Sequence, residues 1–253
     1  MKHISSVSVV TAAYNSARFI AQAIESVLAQ THSCWEMLIV DDCSTDQTAS
    51  IAGEYARRDG RVRLIRLVRN RGPAHARNEA IRLANGRFIA FLDSDDMWAV
   101  DKLAKQTQFM LERDVCLSFT SYQKIDSSGR LIGKAVEVPD EVDYGRLLHN
   151  PVIACLTAMY DSERLGKVFM PDILRRQDYG LWLKILRGGV IARSLGDCLA
   201  YYRVGQSSLS SNKLLAAAYV WKLFREVENL SWLRSVYHFA GYSLHGVRKS
   251  LNR

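Results

Sequence analysis

Proline is scarce in this sequence, and its cysteines form no pattern. Four prolines and 15 glycines among 253 residues leave little material for long flexible linkers. The five cysteines, at 34, 43, 116, 155 and 198, are odd in number and include no Cys-x-x-Cys pair. That argues against a zinc or disulfide framework and for free thiols in a reducing compartment. No stretch of roughly 18 apolar residues occurs, so no membrane-spanning helix is expected. The run Val7–Val10 is too short for the core of a signal peptide, and the expected location is the cytoplasm. No Gly-x-Gly-x-x-Gly follows the first apolar run, which argues against a dinucleotide site. His-Glu-x-x-His and Gly-x-Ser-x-Gly are both missing. Gly129–Lys134 looks like a phosphate-binding loop but is one residue short, and it sits on a hairpin rather than before a helix.

What is present is ordinary globular material, 48% hydrophobic and 24% charged, which excludes a disordered or fibrous chain. A chain of this length buries roughly 70–75% of its unfolded surface and folds without a structural metal. Lys and Arg outnumber Asp and Glu by 34 to 26, a net charge of +8 that favours anionic partners.

The first half alternates between two periods. Short β-branched or apolar runs at Val7–Val10, Met37–Val40, Val62–Leu67 and Phe88–Leu92 read as strands. Between them lie a helix with Phe19, Ile20, Ala23, Ile24, Val27 and Leu28 on one stripe and Ser16 as its cap, a helix over Thr45–Arg58, and a helix opened by Pro73 and stopped near Gly86. Strands alternating with helices predict an α/β fold with a mostly parallel sheet covered on both faces. In the second half, Leu117–Ile125 and Leu131–Val138 flank the turn Asp126–Gly129. Val152–Tyr160 and Val190–Val204 read as strands, Asp178–Leu186 as a helix, and the chain from about Asn212 as a helical appendage. The expected organisation is one α/β domain over residues 1–211 and a helical, basic, amphipathic segment over 212–253.

Three strands end in polar clusters: Thr11-Ala12-Ala13-Tyr14-Asn15, Asp41-Asp42-Cys43-Ser44-Thr45-Asp46 and Asp93-Ser94-Asp95-Asp96. In an open parallel sheet these ends share one edge, where ligands bind. Three carboxylates in four residues repel one another unless a divalent cation sits among them. Mg²⁺ or Mn²⁺ suits such oxygen ligands and usually shares them with substrate phosphates. A solvated acidic loop or a helix cap is the other reading of the Asp-x-Asp. Asp41 or Asp42 can cap the following helix, and the other can accept a hydrogen bond from a base or ribose. Arg57–Arg71 holds seven arginines and one acid. No aromatic residue interleaves with them for base stacking, so a solvated helix end and edge strand is expected there rather than a nucleic-acid site. Arg77 and Asn78, in the helix opened by Pro73, are placed to reach a diphosphate.

Taken together, Val7–Asn15, Asp41–Thr48, Asn70–Asn78 and Phe91–Asp96 resemble the successive signatures of family 2 glycosyltransferases, which have the GT-A fold. Arg175–Trp182 is similar to the family's segment carrying the catalytic base, with Gln177 in place of the usual Glu. Tyr202-Arg203 followed by Ser208–Lys213 resembles the tail of bacterial members that build lipopolysaccharide O-antigen or capsule. The resemblance implies that Ala12, Ala13 and Tyr14 line the nucleotide pocket together with Asp41, Arg77, Asp93 and Ser94, and that Asp42 contacts uracil. It implies Asp93 and Asp95 as the metal site, with Asp95 the more direct ligand of Mn²⁺ or Mg²⁺, and Asp178 as the base. Residues 1–100 would then form the nucleotide-sugar-binding half and 101–211 the acceptor-binding half. The Gln-x-x-Arg-Trp pattern of processive members is absent, which favours transfer of a single sugar. The expected activity is that of an inverting transferase moving one sugar from a nucleotide-diphosphate donor, a UDP-sugar, to a hydroxyl of a glycan or lipid-linked acceptor in bacterial surface polysaccharide synthesis. The alternatives are a sugar-nucleotide nucleotidylyltransferase, which should carry a glycine-rich loop where Thr11–Asn15 has none, and a non-catalytic nucleotide-binding module, which would need no Asp178. The tail after Glu228 carries Arg234, Arg248, Lys249 and Arg253 and no acid, so it can lie on an anionic membrane surface, the cytoplasmic face of the inner membrane, or pack on the domain.

Overall fold

The computed structural model describes residues 5–205 and 213–251. The chain runs β1 (Val7–Ala13), α1 (Ile20–Leu28), β2 (Trp35–Asp41), α2 (Thr48–Arg58), β3 (Val62–Arg66), α3 (Pro73–Leu83), β4 (Phe88–Phe91), β5 (Met97–Trp98) and α4 (Lys102–Glu112). It continues through β6 (Leu117–Ile125), β7 (Leu131–Val136), β8 (Glu141–Val142), α5 (Tyr144–His149), β9 (Met159–Asp161), α6 (Ser162–Leu165), α7 (Gln177–Leu186) and β10 (Ala192–Arg203). The C-terminal part holds α8 (Lys213–Lys222), a π-helical turn at Leu223–Val227 and α9 (Trp232–Leu251).

One sheet runs β3-β2-β1-β4-β9-β6-β10-β5, with β7 beside β6 and β8 beside β10. The first four strands are parallel, in registers that set Val7 opposite Trp35 and Phe88, and Asp41 opposite Arg66. Strand β9 enters antiparallel between β4 and β6. This is the α/β sheet that the alternation of periods predicts. Because both faces are covered, successive residues of each strand enter different cores. Val10, Leu38, Val40, Ile89 and Phe91 face α3 and α7, while Val9, Met37, Ile39, Phe88 and Ala90 face α1, α2 and α4. That is why the strands read as unbroken apolar runs.

Four sequence expectations shift. Only Met159–Asp161 of the Val152–Tyr160 run is a strand; Cys155–Thr157 is a 3₁₀ turn, and its buried side chains fill the core without pairing. The second helix starts at Thr48, after Asp46 has taken up the Thr48 amide and hydroxyl. Ser16 does not cap α1 with its side chain; its hydroxyl turns to the Ser94 hydroxyl at 2.7 Å. The third helix ends at Leu83 with Ala84 as its cap, short of Gly86, which is glycine for space: a Cβ there would stand 2.5 Å from the Ser8 backbone nitrogen. The Ser208–Asn212 part of the tail motif lies outside the described residues. Among the described residues no helix is long and apolar enough to cross a membrane. The arginines of 57–71 serve local surface pairs, Arg61 with Asp59 at 2.7 Å and over the Trp35 ring, and Arg63 with Glu36 at 3.4 Å.

A buried lysine lies under the sheet. Lys102 is fully enclosed, donates to Gln106 Oε1 (2.5 Å) and the Thr157 carbonyl (3.3 Å), and stands 5.0 Å from the centre of the Trp98 ring. Burial pushes its pKa down to about 7. The unfolded chain keeps this proton up to pH about 10.5, the folded chain only to about 7, so folding is weakened below that window and strengthens as pH rises through it. The stability difference between wild type and Lys102→Met should therefore move in favour of wild type by about 1.4 kcal/mol per pH unit between pH 7 and 10. Denaturant unfolding of both chains across that range measures it, and a flat difference would show that Lys102 keeps its charge in the fold.

Candidate active site

The carboxyl ends of β1, β2 and β4 lie side by side, so the three polar clusters meet at one sheet edge. They are laced together by short side chains. Asn15, in the left-handed region at φ 47°, accepts from the Thr45 amide at 2.9 Å, and its own amide donates to Ser44 Oγ at 3.0 Å. The Ser16 amide donates to Thr48 Oγ1 at 2.7 Å. Ala13 is buried, and its carbonyl accepts from the Asp42 amide at 2.8 Å, so it meets the edge through backbone alone. Ala12 is half-buried and Tyr14 half-exposed at the rim.

The two acids after β2 have different surroundings. Asp41 is fully buried; one oxygen accepts weakly from the Ser44 amide at 3.3 Å, and Arg66 Nε lies 3.7 Å from the other. Asp42, also buried, takes the Arg71 amide on one oxygen (2.8 Å) and the Gly72 amide on the other (2.7 Å). Gly72 has φ 86°, a conformation that side chains resist, and it turns the chain so that both amides point at one carboxylate. Asp42 thus fixes the loop that leads into α3.

Helix α3 then presents Arg77 and Asn78. Arg77 forms an ion pair with Asp93 Oδ1. Burial works against its charge, but Asp93, Cys155 and Asp178 more than offset that, and its pKa is raised. Asn78, expected near a diphosphate, is otherwise engaged. Its amide clamps the backbone of Met170, donating to the carbonyl at 2.9 Å and accepting from the amide at 2.8 Å. That clamp fastens the segment leading into α7 to the edge of α3.

The acidic loop after β4 is held from below. Ser94 is buried against Ser16. Asp96 is buried; one oxygen accepts from the Arg203 amide at 2.8 Å and the other has no hydrogen-bond partner. Withdrawal from water, reinforced by Asp95 and Asp93, raises its pKa well above the ordinary range. Asp95 keeps one face open to solvent. Crowding by protein and then the charge of Asp93 push it up to about 6. Arg203 organises this loop. It is almost wholly buried at the end of β10, stacks over Phe19, and donates to the carbonyls of Asp95 (2.7 Å) and Asp126 (2.9 Å) and to Gln22 Oε1 (2.7 Å). Sequence reading placed Arg203 only in the tail resemblance. The signal was there: an arginine closing an otherwise apolar run, Leu199-Ala200-Tyr201-Tyr202, has a specific acceptor set to satisfy.

Asp178 arrives on α7. It is half-buried in the first turn, and the N-cap is Arg176, in the left-handed region at φ 63°. Asp178 is therefore not the cap. Burial raises its pKa, opposed by the Tyr179 amide, Arg77 and Arg176. Trp182, one turn further on, packs edge-to-face on Phe91 at 5.4 Å, and Phe91 is two residues before Asp93. The helix is thereby fixed against the strand that carries the acidic loop. Gln177 donates to the Leu174 carbonyl at 2.8 Å, a bond that an ionised Glu could not make.

Among the described residues no three His, Cys, Asp or Glu side chains converge as a finished metal cage. Asp93 and Asp95 offer two hard oxygen donors, and the partnerless Asp96 oxygen stands close behind them in the chain. Two carboxylates are what Mg²⁺ or Mn²⁺ commonly takes from protein when phosphates and waters complete the shell, so the residues fit such an ion.

The family model described as Glycosyl transferase family 2 matches residues 8–158. TuaG of Bacillus subtilis (strain 168), assigned by name to teichuronic acid biosynthesis as a glycosyltransferase, is 44% identical over 245 residues, 97% of each chain. WfgD of Escherichia coli, named as a UDP-Glc:alpha-D-GlcNAc-diphosphoundecaprenol beta-1,3-glucosyltransferase, is 37% identical over 96% of this chain and 94% of its own. Among solved structures, S. aureus TarS 1-349 in complex with UDP-GlcNAc superposes with a TM-score of 0.71 at 22% identity, over 94% of this chain and 71% of that one. The mannosyltransferase PcManGT of Pyrobaculum calidifontis, in complex with GDP-Man and Mn2+, gives 0.68 at 21% identity, over 88% and 64%. These structures share the fold.

The Arg203 network makes its own test. Arg203→Met removes three donors and leaves their acceptors unpaired, and it should lower stability by roughly 3 kcal/mol or more, since bonds to charged groups contribute about 1.5–3 kcal/mol each. Arg203→Lys, which can keep one bond, should fall between. Urea unfolding with unchanged slope measures both, and an unaffected midpoint in Arg203→Met would show that the network does not hold the loop.

Proposed function

The chain belongs to glycosyl transferase family 2 and is a glycosyltransferase; we propose that it transfers one sugar, with inversion, from a UDP-sugar to a hydroxyl of a lipid-linked or glycan acceptor. The observation that supports this reading is that Asp178 feels the charges of Arg77 and Asp93, which pair with each other just after the carboxyl end of β4. The reaction named for WfgD, on a diphosphoundecaprenol-linked sugar, and the teichuronic acid biosynthesis named for TuaG support an acceptor of this class and a role in bacterial surface polysaccharide such as O-antigen. Such an acceptor would place the enzyme peripherally, at the cytoplasmic face of the inner membrane.

The chemistry accounts for the residue types. The acceptor oxygen attacks the anomeric carbon and its proton passes to a carboxylate, while the bond to the diphosphate breaks with both electrons on the leaving oxygen. The transition state is oxocarbenium-like. A diphosphate needs no proton to leave, so one carboxylate is enough, and Asp178 takes that role. Asp93 and Asp95 would hold Mn²⁺ or Mg²⁺, which when bound neutralises charge on the departing diphosphate. Arg77 holds Asp93 in place and supplies positive charge to the same phosphates. Ala12, Ala13, Tyr14, Asp41, Asp42 and Ser94 would frame the nucleoside, Asp42 through the loop it fixes and through its spare lone pairs toward uracil. Residues 1–100 then form the donor half, 101–211 the acceptor half, and 212–253 the helical appendage.

Two measurements test this reading. Asp95→Ala should abolish transfer and leave unfolding nearly unchanged, because an exposed loop residue contributes little to the core. EDTA should do the same to wild type, with recovery on adding Mn²⁺ or Mg²⁺. Full activity in EDTA would remove the metal assignment.

Asp178→Asn keeps shape and burial but is a far poorer base. Turnover should fall roughly 10²–10⁴-fold while donor affinity by calorimetry is kept. In wild type the acid limb of kcat/KM should lie above the ordinary carboxylate range, since burial raises Asp178 and only its ionised form accepts the proton. Near-wild-type turnover in Asp178→Asn would refute the assignment.

A further inference from the structure

Helix α9 is apolar on two faces. The inward face carries Ser235, His238, Phe239 and Tyr242, buried or half-buried against α5 and α8. His238 Nδ1 lies 2.9 Å from His149 Nε2, and the Phe239 ring meets Trp221 at 5.5 Å. Packing on the domain uses this face and, from its flank, the Tyr237 ring edge-to-face on His149 at 5.3 Å. The outward face carries Trp232, Leu233, Val236, Tyr237, Ala240 and Leu244. Trp232, Leu233 and Leu244 are 62%, 77% and 63% exposed. Large apolar side chains recurring at this spacing on a solvent-facing helix need a cover.

Charge identifies the cover. From Asn229 to the end the sequence has Arg234, Arg248, Lys249 and Arg253 and no Asp or Glu. A second copy docked by the same face would bring together two chains that each carry a net charge of +8 and two acid-free tails. An anionic bilayer complements them, and it accepts Trp and Tyr at the headgroup level. The helix also touches the site: Arg176, two residues before Asp178, donates to the Tyr242 hydroxyl at 3.3 Å from the inward face.

We propose that the outward face of α9 docks on an anionic lipid bilayer and holds the start of α7, with Asp178, near the membrane surface. The orientation toward a lipid-linked acceptor rests on the sugar-transfer reading; the docking itself does not. Apolar side chains enter the headgroup–acyl boundary, the cations stay among the phosphates, and the helix lies in the plane rather than crossing it. This makes membrane capture part of acceptor recognition: the acceptor is searched for in two dimensions, with the base already at the right height.

The test is flotation of the full chain with vesicles of phosphatidylcholine alone and of phosphatidylcholine containing one quarter phosphatidylglycerol. The comparison is with the triple variant Trp232→Ser, Leu233→Ser, Leu244→Ser, whose residues lie outside the site and the inward packing. Wild type should float with the anionic vesicles far more than with the neutral ones, and less as salt rises past about 0.3 M. The variant should lose roughly tenfold or more of that binding, with unfolding and the slow hydrolysis of UDP-glucose unchanged. The proposal is overturned if wild type stays unbound, if it binds both vesicles equally, or if the variant floats as well as wild type. It is likewise overturned if the face proves to be a dimer contact, with wild type self-associating, the variant monomeric and neither floating. Flotation needs no turnover, so failure of the sugar-transfer reading leaves its outcome intact, and failure to float leaves transfer to a soluble acceptor untouched.

Discussion

Four carboxylates gathered at one sheet edge set the central electrostatic constraint of this molecule. Burial raises the cost of ionising Asp95, Asp96 and Asp178, and the charge of Asp93 adds to it for all three. Two buried arginines make the arrangement tolerable. Arg77 pairs with Asp93 from the side, and Arg203 holds the Asp95 carbonyl and one Asp96 carboxylate oxygen from beneath. Neither removes all of the excess negative charge. A loop in this condition favours any ligand that brings positive charge to it, and its acids are pre-positioned because the arginines spend their hydrogen bonds on the frame rather than on every carboxylate oxygen.

The frame itself follows from simple patterning. Strands covered on both faces must be apolar at every position, so the polar residues of this half of the chain are driven to the strand ends. In parallel strands the carboxyl ends coincide. A cluster that seems scattered over eighty residues of sequence is therefore one place in space. The Phe91–Trp182 contact extends the same logic to α7, since core packing two residues from one acid and four from another fixes the distance between them more firmly than loops could.

The strands β1 to β4, their order along the chain and the shared edge were all legible from period and from Gly and Pro punctuation. Asp42, Asp93 and Asp95 stand out as site candidates from their place after apolar runs, and Arg77 from its place in the helix opened by Pro73. The rest depended on long-range partners. Nothing local distinguishes Asn78, which clamps Met170, from a residue free to meet a ligand. Nothing before Cys155 announces that the run from Val152 becomes a 3₁₀ turn, because a buried irregular segment is as apolar as a strand. The sequence does not show that the helix of Asp178 starts one residue earlier, at Gln177, with Arg176 as its cap. Arg203 looked like part of a tail because its acceptors, Asp95, Asp126 and Gln22, come from three distant parts of the chain.

The insertion of β9 between β4 and β6 has a consequence for how such proteins diversify. A strand from the second half of the sequence sits in the middle of the sheet, and β5, from the first half, closes its far edge against β10. Residues 1–100 and 101–211 thus share one sheet rather than being joined end to end. Recombination at residue 100 would cut two strand pairings of one sheet, β4–β9 and β5–β10, rather than exchange a module. New acceptor preferences are therefore expected to arise by substitution in the loops above the sheet, not by shuffling of halves.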